Sequence, residues 1–414
     1  MVLVIRHAAQ LVRVSDCGER EKPGRRMRDL AVIEDGAVLI RDGRIDWVGP
    51  TSELPAIPAG AEVIDACGKT VLPGLIDSHT HLLFAGTRED EFELRLQGIS
   101  YQEIAARGEG INATVRRVRA ASKAELKDLA RRRLDRMLAL GITTVEVKSG
   151  YGLTLDDEIK CLEAIAELDR EHPCDLVPTF MGAHEVPPEY RDHREAYLRL
   201  VTDKMIPAVA ARGLAEFCDV FCERGVFGLE ESEQVLSAAA AHGFKLKVHA
   251  DEFSPLGGAE LAARFRAVSA DHLLHITAAG IEALRQAGTV ATLLAGTAFF
   301  LGLLYAPGRQ LIDSGLTVAL ATDCNPGSSM TVNLPLVASI ACTQMRLLPA
   351  EALTAITLNA AAALARGDRI GSIEAGKQAD LAIFDVPAYK LLFYDFGTNH
   401  AWKVIKSGRV VIGA

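Results

Sequence analysis

Residues 74 to 88 read GLIDSHTHLLFAGTR, where two histidines separated by one threonine interrupt a run of apolar strand formers. Successive side chains of a strand point to opposite faces, so His79 and His81 share one face with their backbones about 7 Å apart. That spacing suits two ligands of one metal ion. It equally suits two histidines satisfied by hydrogen bonds at a strand end. Further candidates of the same chemical type follow: His184 in GAHEVP, His249 and Glu252 in HADE, His272 in SADHLLH and Asp323 in DCNPGSS. Imidazole nitrogen and carboxylate oxygen bind divalent ions, and both groups move protons near neutral pH.

Whether these residues act together depends on the elements that carry them. Eight apolar strand-like runs are legible: GLIDSHTHL, ITTVEVKSG, DLVPTFMGAH, EFCDVFCE, FKLKVHADE, AVSADHLLH, TVATLLAG and TVALATDCN. Between them lie segments such as ATVRRVRAASKAELKDLARRRLDRMLAL and ESEQVLSAAAAH, where apolar and charged residues recur with a helical period. Repeated βα units over residues 71–365 predict an α/β fold, a (β/α)8 TIM-like barrel, with a long doubly wound sheet as the alternative. The ends, residues 1–70 and 366–414, hold short β runs broken by Gly-Asp and Asp-Gly turns. They predict one small β-sandwich domain formed from both chain termini.

In such a barrel the active site lies at the C-terminal ends of the strands. His79 and His81 end the first run, His184 the third, His249 and Glu252 the fifth, His272 the sixth and Asp323 the eighth. One circular rim therefore gathers them. Lys148 ends the second run and reads as a salt bridge or a substrate contact, while the fourth run ends CDVFCE and offers only Glu223. His275, His7, His172, His193, His242 and His400 read as structural. Residues 290–306, VATLLAGTAFFLGLLYA, carry no charge but fall short of the roughly 20 residues needed to span a membrane. With Gly296, Thr297 and Gly302 inside it, this run reads as a buried strand followed by a loop.

Composition limits what such a rim would act on. In a chain of 414 residues with a formal charge of −9 and both signs interspersed, no basic field exists to draw nucleic acid or an anionic membrane. A small-molecule substrate is the expectation. Eight cysteines without a CxxC pair imply reduced thiols and a cytoplasmic setting, and Arg6 and His7 arrive too early for a signal peptide. A homodimer is expected for a soluble enzyme of this kind.

The rim constellation resembles the metal-dependent amidohydrolase superfamily over nearly the whole chain, including the split β domain. The resemblance implies one catalytic divalent ion, Zn2+ or Fe, held by His79, His81, His249 and Asp323. Members with two metals place a carboxylated lysine on the fourth strand, and CDVFCE departs from that pattern. A set of three histidines and one carboxylate leaves a position open for water, whose pKa a zinc-like ion lowers toward about 7. By the same resemblance Glu252 shuttles the proton, His272 polarises the scissile carbonyl, and Asp323 belongs to the catalytic set. The other reading of Glu252 is a hydrogen-bond acceptor behind a ligating imidazole.

Five motifs in order, FAGTR, KSGYG, GAHEVP, HADE and DCNPGSS, resemble a branch of that superfamily that opens a cyclic amide during histidine degradation. This implies hydrolysis of the ring C–N bond of 4-imidazolone-5-propanoate to N-formimidoyl-L-glutamate. Arg88, Tyr151, His184, Glu252, Asn325, Gly327 and Ser328 would then contact the substrate or product. Taken singly, Arg88 reads as an ion pair with Glu89 or Asp90, and Tyr151 as a packed aromatic. The rival activities are deamination of a purine or pyrimidine base, which uses the same ligands, and a non-catalytic scaffold. Arg88 and Tyr151 oppose the first because a neutral base has no carboxylate to bind, and the complete ligand set opposes the second.

Overall fold

A computed structural model describes residues 1–99 and 109–413. The terminal sheet contains β1 (Val2–Val12), β2 (Val32–Arg41), β3 (Arg44–Pro50), β4 (Glu62–Asp65) and β5 (Thr70–Pro73). Its remaining strands come from the other end of the chain: β14 (Leu381–Phe384), β15 (Ala401–Lys406) and β16 (Arg409–Ile412). The two ends meet where β5 and β14 pair antiparallel, with Thr70 opposite Phe384 and Pro73 opposite Leu381. A register shift in β1 between Ile5 and Ala8 lets one strand serve two neighbours on the same edge, β4 first and β5 beyond it. Leu3, Ile5, Leu11, Val38, Ile40, Val71, Leu381 and Ile405 form the core of this domain.

Gly74 alone separates β5 from the first barrel strand. The barrel strands are β6 (Leu75–Asp77), β7 (Ile142–Lys148), β8 (Asp175–Ala183) and β9 (Phe217–Cys222), followed by β10 (Lys245–Ala250), β11 (Ser269–His272), β12 (Val290–Leu293) and β13 (Val318–Leu320). They pair in parallel in chain order, as the eight runs predicted. Closure between β6 and β13 is made just beyond the regular strands. The Asp323 amide donates to the His79 carbonyl at 3.0 Å and the His81 amide to the Cys324 carbonyl at 3.1 Å. Below this seam Asp77 accepts from the Thr322 amide at 3.0 Å and from its hydroxyl at 2.6 Å.

The barrel interior changes character along its axis. At the N-terminal end Ile76, Val177 and Phe217 pack against Ala360, Ala361, Leu364 and Ile370, so a C-terminal helical segment plugs the bottom. Above them the interior is ionic: Glu146, Lys148, Asp219, Lys247 and Asp271 are fully buried. Aliphatic residues usually fill these layers. Polar groups placed there require partners, and they lie directly under the histidine rim.

Two local expectations change. Residues 290–293 are a buried strand, but Ala295–Leu301 form a helix where a loop was expected, capped at Gly302 with φ 68°. Its burial on one side lets an uncharged segment turn helical without the periodic charge that marks a surface helix. The long helical segment after residue 112 also divides in two, Ile111–Ala120 and Lys123–Leu138. Ser122 begins the second with a capping box, its hydroxyl accepting from the Glu125 amide while the Glu125 carboxylate accepts from the Ser122 amide.

Candidate metal centre

His79, His81 and His249 converge, with one ring nitrogen of each within 4.8 Å of the others. His81 Nε2 stands 3.2 Å from His249 Nε2, and Asp323 Oδ1 stands 3.6 Å from Nε2 of both His79 and His81. Two donors bound about 2.1 Å from a tetrahedral ion lie about 3.4 Å apart, so these separations suit a shared cation. His79 Nε2 and Asp323 Oδ1 are buried with no hydrogen-bond partner. Orphaned buried acceptors are costly unless something electropositive sits between them. The four predicted ligands therefore fit a divalent ion.

Carboxylates behind the rings turn those lone pairs inward. His79 Nδ1 is 2.6 Å from Asp271 Oδ2, and His249 Nδ1 is 3.0 Å from Asp219 Oδ2. A proton held on His79 Nδ1 by Asp271 leaves its Nε2 lone pair for a metal. Asp271 in turn lies 4.0 Å from Lys148 Nζ and 3.9 Å from Lys247 Nζ. Lys148 also donates to Glu146 at 2.8 Å and to Asp219 at 2.7 Å, so its role is the salt bridge. Despite burial, the Asp219, Glu146 and Asp271 carboxylates hold the Lys148 ammonium above its ordinary range. Burial keeps His79, His81 and His272 well below the ordinary imidazole range, with the crowded imidazoles and the Lys148 ammonium adding to the effect.

Alternation along a strand would point Asp271 and His272 to opposite sides. His272 and Leu273 break it with φ of 78° and 63°, which brings the His272 ring within 5.0 Å of His249 and 5.5 Å of His79. Asp323 likewise has φ 53°. Such left-handed backbone at non-glycine residues is held by surrounding structure at functional sites. Glu252 Oε1 lies 3.5 Å from His272 Nδ1. Burial, then the Asp323 and Glu223 carboxylates, push the Glu252 carboxyl well above its ordinary range. Its proton affinity is therefore higher than that of an exposed glutamate, which strengthens the carboxylate as a base. Asp323 is pushed up to about 6, chiefly by burial.

The remaining predicted residues surround this centre in unequal ways. His184 stacks on His81 with ring centres 4.7 Å apart, its Nδ1 donates to the Gly150 carbonyl at 2.9 Å, and burial pushes it down to about 3. Tyr151 is buried with its ring 5.9 Å from His81 and 5.3 Å from His184. Arg88 pairs not with Glu89 or Asp90 but with Glu91, through Nε at 2.9 Å and Nη2 at 2.6 Å. Its remaining edge faces Gly327, where an added Cβ would run into the guanidinium. Glu91 also accepts from the Gly110 amide at 2.9 Å.

Asn325 spends its whole amide within the loop. Its nitrogen donates to the Asp323 carbonyl at 2.7 Å and the Ser328 hydroxyl at 2.8 Å, while its oxygen accepts from the Gly327 and Ser328 amides at 2.8 Å each. A primary amide has two donors and one carbonyl, so Asn325 shapes this turn as it stands. Ser328 Oγ lies 3.3 Å from Asp323 Oδ2, which also accepts from Thr297 Oγ1 at 2.7 Å. Glu223 accepts from the Phe253 amide at 2.8 Å and braces the loop after Glu252.

Asp219, Asp271, Lys247 and Glu91 were not expected at the site, and Thr297 was expected only as a polar break in an apolar run. Lys247 and His249, two apart on one strand, carried a readable signal because alternate residues share a face. Thr297 carried none, since its helix was not expected.

The barrel, the terminal sheet and the histidine cluster define a metal-dependent hydrolase of the amidohydrolase type. A model of the amidohydrolase family matches residues 90–412, and a model of an imidazolonepropionase-like composite domain of bacteria matches residues 36–56. The imidazolonepropionase of Geobacillus sp. (strain WCH70) is 51% identical over 414 residues, covering 99% of this chain and 98% of that protein. That of Parabacteroides distasonis is 48% identical over 410 residues, covering 99% and 98%. The chain belongs to the imidazolonepropionase family. Solved structures share the fold at low identity. A zinc-complexed atrazine chlorohydrolase from Arthrobacter aurescens superposes with TM-score 0.71 at 19% identity, covering 99% of this chain and 95% of the other. An adenosine deaminase from Xanthomonas campestris with bound zinc gives TM-score 0.71 at 21% identity, covering 99% and 92%.

Proposed function

We propose that this chain hydrolyses the ring amide C–N bond of 4-imidazolone-5-propanoate to N-formimidoyl-L-glutamate. The observation that carries the reading is a converging set of His79, His81, His249 and Asp323 in a chain about half identical, end to end, to curated imidazolonepropionases. Those four residues would hold one divalent ion, Zn2+ or Fe, which supplies acidification of a water molecule and polarisation of a carbonyl oxygen.

The chain's own groups account for the rest of the chemistry. Glu252 takes a proton from water and delivers it to the ring nitrogen as the C–N bond breaks, so the hydroxyl of water ends on the carbonyl carbon and its proton on nitrogen. Burial tunes Glu252 for this by raising its proton affinity above that of an ordinary carboxylate. His272, beside it, orients the carbonyl. Arg88, steadied by Glu91, presents its Gly327-facing edge to the propionate. Tyr151 and His184 cover the ring from the His81 side, and the Asn325–Ser328 turn bounds the pocket next to Asp323. A second copy of the chain is the proposed partner, giving a cytoplasmic homodimer, which light scattering at twice the chain mass would verify.

The test is loss of imidazolone ultraviolet absorbance with metal-loaded protein, with formimidoyl-glutamate identified as product. Inactivity at stoichiometric metal would sink the proposal. Ammonia release from a purine or pyrimidine base without ring opening would replace it with the deaminase reading.

A further inference from the structure

Glu158 lies in the first turn of the helix Leu155–Glu171, is fully buried, and takes no part in the chemistry above. Its Oε1 accepts from the amides of Gly150 at 3.1 Å, Gly152 at 2.8 Å and Leu153 at 2.9 Å, and its Oε2 from Gly150 at 3.1 Å. The Ser149 hydroxyl, next to Gly150, accepts from the Met181 amide at 3.0 Å. None of this caps the helix. Thr154 does that, its Oγ1 accepting from the Asp157 amide at 3.1 Å. Burial raises the Glu158 carboxyl above its ordinary range and the hydrogen bonds oppose that rise, so the loop donors favour its charged form.

The segment bound this way is KSGYG. Gly150 has φ 100°, Leu153 has φ 54°, and a Cβ at Gly152 would strike the Asp157–Glu158 backbone, so the chain is wound closely around the carboxylate. Two groups of the proposed pocket depend on the winding. Tyr151 sits inside the wound segment, and the Gly150 carbonyl receives the His184 Nδ1 proton. That bond fixes the His184 tautomer and leaves Nε2 as its acceptor. A segment bounded by two glycines is otherwise expensive to order when substrate arrives.

We propose that Glu158 is a positioning residue for substrate. By gathering the amides of Gly150, Gly152 and Leu153, it fixes Tyr151 and His184 in the free enzyme without touching substrate itself. The proposal rests on the reading of Tyr151 and His184 as substrate contacts. The experiment is steady-state kinetics on metal-loaded Glu158→Ala and Glu158→Gln beside Tyr151→Phe and His184→Ala, with metal content measured for each. Glu158→Ala is expected to keep its metal, raise KM on the order of tenfold and lower kcat/KM by roughly ten- to a hundredfold. Glu158→Gln keeps one oxygen for the three amides and is expected to recover part of that loss. Combined with Tyr151→Phe, Glu158→Ala is expected to cost less than the product of the single effects, because both act through one loop.

An unchanged KM in Glu158→Ala, while Tyr151→Phe and His184→Ala raise it, overturns the proposal and leaves the substrate reading standing. Unchanged KM in Tyr151→Phe and His184→Ala overturns the substrate reading and this proposal with it. If Glu158→Ala fails to fold, Glu158→Gln decides alone. A KM raised severalfold with full metal content supports positioning, and a KM equal to the parent's overturns it.

Discussion

At the scale of single residues, the donors that would face a metal depend on groups behind them, as His79 does on the Asp271 carboxylate at its Nδ1. His79, His81, His249 and Asp323 stand at strand ends, a position and a residue type that sequence displays directly. Asp271 is hidden beside His272 because strict alternation would send one of the two outward, and only the left-handed backbone at His272 brings both inside. Arg88 was legible as a cation near the rim, but its pairing with Glu91 needs the helix start at Glu89 to be known. The Asp271 carboxylate is the shortest contact to any proposed ligand, 2.6 Å from His79 Nδ1. Asp271→Asn is therefore expected to weaken metal retention by roughly 10- to 100-fold. Competition with a chelator of known affinity, read as bound metal, measures this. Retention equal to the parent's would show that Lys148 and Lys247, not the carboxylate, hold the ring environment together.

At the scale of elements, eight strands and their order followed from apolar runs separated by amphipathic segments. The helix Ala295–Leu301 did not, because a buried element without charged residues shows no period to read. The capping box at Ser122 was readable as S-x-x-E but was passed over within a long helical pattern. Closure of the barrel also escaped the sequence, since β6 and β13 are only three residues each and their seam is made by loop backbone and by Asp77. Asp77 is fully buried and its oxygens accept two bonds from Thr322, so truncation would strand both donors in the seam. Asp77→Ala is expected to destabilise the protein by about 3 kcal/mol, read by urea denaturation at saturating metal. A loss below about 0.5 kcal/mol would mean that the backbone bonds of His79 and His81 close the barrel unaided.

At the scale of the whole molecule, both chain ends return to one sheet, and that sheet runs into the barrel through Gly74 with no linker between them. The proposed ligands span the barrel in the same way: His79 and His81 follow β6, His249 lies in β10 on the far side, and Asp323 follows β13 across the seam. An ion bound by all four would tie the seam to the opposite wall, so metal binding and folding must be linked. Metal at a thousandfold excess over its dissociation constant stabilises the folded chain by about 4 kcal/mol, provided the unfolded chain does not compete for it. Protein stripped by a chelator is accordingly expected to melt at a lower temperature, and stoichiometric Zn2+ to restore the original transition. His249→Ala removes one of the three converging imidazoles, and its melting temperature is expected to respond little to added Zn2+ while its circular dichroism stays that of the parent. Equal metal-induced shifts in the parent and in His249→Ala would place the stabilising ion elsewhere. A large shift confined to the parent would locate it at the rim, where the orphaned His79 Nε2 and Asp323 Oδ1 already face each other at 3.6 Å.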